Sequence, residues 1–90
     1  MSDIFKLYEK AYASPSSFTF SELCSLLEGA GFVFDRQKGS HKIYKHPSIQ
    51  NRLEGLVNVQ NDHGKAKAYQ VKAALNLIDK YELLRDGGAQ

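Results

Sequence analysis

His41 follows Gly39 and Ser40 and stands among Arg36, Lys38, Lys42 and Lys45. A histidine in that company suits chemistry on a phosphodiester. Imidazole exchanges its proton near neutral pH, so it can serve as a general base or acid. Gly39 lets the backbone approach a phosphate closely, and the Ser40 hydroxyl and nearby amides can hydrogen-bond its oxygens. Arg36, Lys38 and Lys42 are placed to offset charge developing there. RNA would bring its own nucleophile, the 2′-OH. Proton transfer by His41, from that hydroxyl or to the departing 5′-oxygen, would leave a 2′,3′-cyclic phosphate and a 5′-OH without a metal. Taken alone, the tripeptide also reads as a turn followed by a solvated histidine at a strand edge. Ser40 reads as a turn residue, since the chain has no nucleophile elbow and no evident partner acid.

A second basic pair, Lys65 and Lys67, falls where the last helix should begin. A helix N-terminus carries free amides and partial positive charge, so lysines there fit best with a bound anion. Solubility is the plainer account of them. His41 and His46 are five apart and would face opposite sides of one strand. A metal site including His63 therefore has little support, and no cofactor is expected. Cys24, the single cysteine, excludes an internal disulfide and reads as a buried thiol in an apolar helical pattern.

The net charge is only +2, but it is unevenly spread. Between Arg36 and Lys72 eight basic residues meet two acidic ones, a local +6, while the remainder carries −4. A basic middle between acidic flanks is the footprint of a polyanion-binding face. Chance clustering on a solvated surface is the alternative. Ninety residues make one domain with a thin core. No apolar run reaches the roughly 20 residues that a spanning helix needs, and the first residues lack a signal-peptide layout. A cytoplasmic protein without a membrane partner is expected.

The elements that must hold His41 can be read from local signals. Ile4, Phe5, Leu7, Tyr8, Ala11 and Tyr12 predict an amphipathic helix over residues 3–13, with Ser2 or Asp3 as its cap. Pro15 interrupts it. Thr19 and Glu22 have capping-box spacing, with Phe18 and Leu23 as a hydrophobic staple. The helix they start should end at Gly31. Strands are predicted over Phe32 to about Gln37, His41 to His46 and Leu56 to Val59, with a hairpin at Lys38-Gly39-Ser40 and a bulge at Gly55. Pro47 stops the second strand. A last helix should run from about Lys67 to Leu84, before Gly87 and Gly88. The fold class is therefore α+β. It has a three-stranded antiparallel sheet with helices on one face, in α-β-β-β-α order, plus an extra N-terminal helix. Residues 1–90 form one domain, with 1–17 as helix and linker and 18–85 as the core fold.

The segments Glu22-Leu23 through Leu27, Ala30-Gly31-Phe32, Arg36-Gln37-Lys38-Gly39-Ser40-His41, Ile43-Tyr44 and His46-Pro47 together resemble the HicA (YcfA-like) toxin family. The resemblance covers roughly residues 18–80. It implies a fold similar to double-stranded-RNA-binding domains, cleavage of messenger RNA, and neutralisation by a HicB-like antitoxin. It also implies that His41 is the essential histidine of the Gly-Ser-His motif. Arg36, Lys38, Gly39, Ser40, Lys42, Lys45, Lys65 and Lys67 are, from their chemistry and placement, the residues expected to bind the RNA and its phosphates. Two departures stand out. The first helix is additional, and could cover the core or mediate a homodimer. Gln60-Asn61-Asp62-His63-Gly64 differs from the family's usual Pro-x-His-like segment, which leaves His63 without a carried-over role. A non-catalytic RNA-binding module, and an interaction domain for an acidic partner, remain the competing readings.

Overall fold

The computed structural model describes residues 4–51 and 53–84. Helix α1 spans Ile4–Ala13, a single 3₁₀ turn covers Pro15–Ser17, and α2 spans Phe20–Gly29. Strands β1 (Val33–Lys38), β2 (His41–Lys45) and β3 (Val57–Gln60) follow, then α3 (Ala68–Lys80). The strands form one antiparallel sheet in the order β1-β2-β3. Helices α2 and α3 pack on the sheet, and α1 packs on α2 and α3. The expected α+β plan is the observed one.

Both ends of α2 are set by local chemistry. Thr19 accepts from the Glu22 amide, and Glu22 accepts from the Thr19 amide, each at 3.0 Å. These bonds satisfy two donors that a helix start leaves free. Phe18 and Leu23 are both fully buried beside the cap. At the other end Gly31 adopts φ +98, and the amides of Gly31 and Phe32 return to the carbonyls of Glu28 and Leu27. This is the Schellman closure. Phe32 is thereby drawn into the core as the residue after the cap, so β1 begins at Val33 rather than Phe32.

Two other expectations are corrected. The bulge lies in β1 between Phe34 and Arg36, not at Gly55. Gly55 instead closes a turn onto the Asn51 carbonyl, where a side chain would meet Ile49 at 3.2 Å. Helix α3 ends at Lys80 rather than Leu84. Glu82 takes φ +53, and the Leu83 amide bonds to the Ile78 carbonyl at 2.9 Å. That is again a Schellman closure, with a non-glycine residue in the left-handed position. The caps expected at Ser2 or Asp3, and Gly87-Gly88, lie outside the described residues.

The core lies between the sheet and α2/α3. Tyr44, Val57 and Val59 face the helices, against Leu23, Leu26, Leu27, Val71, Leu75 and Ile78. The Tyr44 hydroxyl donates to Glu28 at 3.1 Å, and burial holds its pKa well above the ordinary tyrosine value. Cys24 is a buried free thiol. Among the described residues no helix is long and apolar enough to cross a membrane.

Candidate active site

His41 opens β2 directly after a two-residue turn. Lys38 and His41 close the hairpin as a ladder pair, and Gly39 takes φ +58 in the turn. A tight hairpin needs a residue that tolerates positive φ there. The Gln37 side chain donates to the Gly39 carbonyl at 3.0 Å, and the Asn61 amide donates to the Ser40 carbonyl at 2.9 Å. The turn is thus tied to the loop that follows β3.

That loop is a second tight hairpin. Asp62 and Lys65 exchange two backbone bonds of 2.9 Å across His63 (φ 54) and Gly64 (φ 87). Two consecutive positive φ values make a type I′ turn. The Gly64 carbonyl accepts from the Phe20 amide, and the Ala66 amide donates to the Phe18 carbonyl. The Gly39-Ser40 turn, the 61–66 loop and the starts of α2 and α3 are therefore gathered at one end of the sheet.

Ladder pairing decides which side chains share a face. Val33, Arg36 and Lys38 of β1, His41, Ile43 and Lys45 of β2, and Asn58 and Gln60 of β3 all point away from the helices. Asn58 lies diagonally across from His41, within reach of a long side chain. Its Oδ1 is 2.8 Å from His41 Nδ1. An amide oxygen only accepts, so the contact requires a ring that carries a proton on Nδ1, and in the neutral ring Nε2 is then the acceptor. Sequence reasoning missed Asn58, because only the strand register brings it beside a residue 17 positions away.

The cations divide into four groups. Lys38 is the ladder partner of His41, and neither it nor Lys65 is in an ion pair among the described residues. Arg36 and Lys45 share the face of His41, but both are paired with Asp35, the latter at 3.4 Å. Asp35 sits at the bulge and was not among the expected site residues. Lys42 points to the helix side, over the rings of Phe20 (5.7 Å) and Phe34 (6.0 Å), and is not brought together with His41. Lys67 precedes α3 as its cap residue, without a side-chain cap bond, and lies 3.4 Å from Asp62. The His63 ring and then Lys67 hold the Asp62 carboxyl below its ordinary range.

The other two histidines have structural settings. His46 Nε2 donates to the Ala30 carbonyl at 2.9 Å, its Nδ1 accepts from the Ser48 amide at 3.1 Å, and its ring meets Phe32 edge-on. Both ring nitrogens are occupied in tying β2 to the end of α2. His63 is a turn residue with a side chain 97% exposed. Among the described residues no group of three His, Cys, Asp or Glu side chains comes together as a metal site.

Two depressions flank Leu56. One, of about 490 Å³, is lined by Asp35, Arg36, Lys45, His46 and parts of the chain from Pro47 to Gln50 and at Gly55 and Leu56, and its cations are those tied to Asp35. The other, of about 310 Å³, runs between β3 and α3 and has His41 in its wall. Of the two, only the second has in its wall a histidine ring nitrogen with no hydrogen-bond partner among the described residues.

Residues 20–79 match the model of the family described as HicA toxin of bacterial toxin-antitoxin. No curated protein and no solved structure matches the chain.

Proposed function

Because this chain belongs to the HicA toxin family of bacterial toxin-antitoxin systems, we propose that it is an endoribonuclease in which His41 acts as the general base. The reading rests chiefly on the bond from His41 Nδ1 to Asn58 Oδ1, which leaves Nε2 as acceptor beside the unpaired Lys38. Nε2 takes the proton of an RNA 2′-OH. The oxygen attacks phosphorus, the P–O5′ bond breaks, and the 5′-oxygen leaves as a hydroxyl with a proton from water. A 2′,3′-cyclic phosphate remains on the upstream fragment. RNA supplies the nucleophile, so the reaction needs no metal.

Lys38 and the Gly39-Ser40 backbone hold the phosphate, and Lys65 and the start of α3 extend the cationic surface along the strand of RNA. Lys42 belongs to the opposite face and contributes through the field of the molecule rather than by contact. Messenger RNA in the cytoplasm is the substrate, and a HicB-like antitoxin is the neutralising partner. The test is cleavage of RNA by wild type and by His41→Ala. Removing a general base costs about 10²–10⁴-fold, and melting temperature should be unchanged because His41 lies outside the core. Equal cleavage by the variant overturns the assignment. RNA binding without cleavage by wild type would favour the non-catalytic module.

A further inference from the structure

The groove between β3 and α3 has features that proton transfer does not use. Its walls are His41 and Asn58 on one side and Tyr69, Ala73 and Leu77 on the other, with Leu56, Val57 and Gln70 completing the lining. Tyr69, Ala73 and Leu77 are spaced by four, so they form one line along α3. Tyr69 is 67% exposed, although a large aromatic side chain could be buried on this helix, as its neighbours Val71 and Leu75 are. The short side chain of Ala73 keeps the space beside the ring open. The Tyr69 hydroxyl lies 3.4 Å from Gln70 Nε2, and Gln70 Oε1 accepts from the amide of Gln60 at 2.8 Å. Gln60 is the ladder partner of His41. The ring is therefore braced through Gln70 to the strand that faces the catalytic histidine.

We propose that this groove is a nucleobase subsite, in which a base next to the scissile phosphate stacks on Tyr69 while its edge meets the amide of Asn58. The proposal rests on the ribonuclease reading of His41. The volume of about 310 Å³ is at the low end of small-molecule clefts and suits one nucleoside rather than a run of them. An exposed aromatic ring beside a cationic track is the usual arrangement for holding unpaired bases. With one lone pair of Oδ1 engaged by His41, the Asn58 amide offers a ligand chiefly its two N–H donors. The subsite therefore favours a base edge that presents acceptors. In this way one side chain would couple recognition of the base to the orientation of the general base.

The test is binding of fluorescently labelled RNA oligomers, made uncleavable by 2′-O-methylation, to wild type and to Tyr69→Ala, Tyr69→Phe, Tyr69→Trp and Ala73→Leu. Stacking on an aromatic side chain makes Tyr69→Ala weaken binding about tenfold or more. The slope of log K against log salt stays at its wild-type value, since no phosphate contact is lost. Phe and Trp at position 69 retain binding within about threefold, and Ala73→Leu, which fills the groove, loses it as Tyr69→Ala does. A single abasic residue scanned along the oligomer should reproduce the loss at one position. There Tyr69→Ala should add nothing further. Salt-dependent binding by wild type that Tyr69→Ala leaves unchanged, or weakens only through a reduced salt slope, overturns the subsite and leaves the ribonuclease reading standing. Absence of RNA binding by wild type overturns both.

Discussion

The bond between His41 and Asn58 turns a common residue into one with a defined proton inventory. An imidazole free to rotate divides its neutral form between two tautomers, and only one leaves Nε2 ready to accept. Asn58 Oδ1 at 2.8 Å from Nδ1 selects that tautomer and fixes the ring plane. In the proposed reaction Asn58 is thus a positioning residue. Replacing it by Ala should lower kcat about tenfold or more, on top of any rise in KM from the lost contact between its N–H groups and the base. Asn58→Asp, which keeps an acceptor for Nδ1–H, should restore most of the rate. A change confined to KM, or no rescue of kcat by Asp, would contradict this role. Steady-state cleavage of a short fluorogenic RNA measures both. His41 could be singled out from its neighbours in sequence, whereas Asn58 could not. Its partner is set by the β2–β3 register, which a polar residue on an exposed face does little to announce.

Elements whose ends are set within a few residues were legible in the chain; those set by distant contacts were not. The Thr19–Glu22 box, the Gly31 closure and the Gly39 turn each act within a few positions. The bulge at Asp35 depends on how β1 meets β2, and Glu82 as a left-handed cap depends on how α3 meets its surroundings. The place of α1 is likewise tertiary. Lys10 reaches Glu22 of α2 at 2.7 Å, and the hydroxyls of Tyr8 and Tyr12 both donate to Asp79 of α3. Ala11 is fully buried between these contacts. Two pH limits on α1 follow. Lys10 and the Thr19 amide lower the pKa of Glu22 from its ordinary 4.5. The stabilisation is complete above that value and fades as pH falls through the folded-state pKa. Lys10→Met should lose up to roughly 1 kcal/mol at neutral pH, as exposed pairs do, and converge with wild type in acid. At the other end, the bond to Asp79 and then burial push the Tyr8 hydroxyl up to about 12. Its contribution is intact below pH 10 and disappears as pH rises toward that value. Urea unfolding should therefore show wild type losing stability over that interval more steeply than Tyr8→Phe. Parallel pH curves for the two proteins would contradict the assignment.

Across the whole molecule, the hairpin that carries the proposed catalytic histidine lies apart from the apolar core. The helices bury the apolar faces, and α1, outside the residues that match the family, closes α2 and α3 from behind. The opposite sheet face carries His41 with Lys38, and Asp35 offsets the two cations at its far end. The local +6 of residues 36–72 is therefore concentrated, for contact purposes, at the hairpin and the start of α3. Substituting Lys38 or Lys65 by Gln should weaken RNA binding similarly for all sequences and reduce the salt slope by about 1 each. Lys42→Gln should change the slope less, because its ammonium lies over Phe20 and Phe34 on the other face. Equal effects at all three positions would mean that net charge, not this face, attracts the RNA. The central claim is a metal-independent transfer to the 2′-OH initiated at His41. Its most direct measurement is mass spectrometry of RNA fragments formed by wild type and His41→Ala in the presence of EDTA. The account predicts 2′,3′-cyclic phosphate and 5′-OH ends from wild type and no fragments from the variant. Fragments with 5′-phosphate ends, or cleavage abolished by EDTA in wild type, would contradict it.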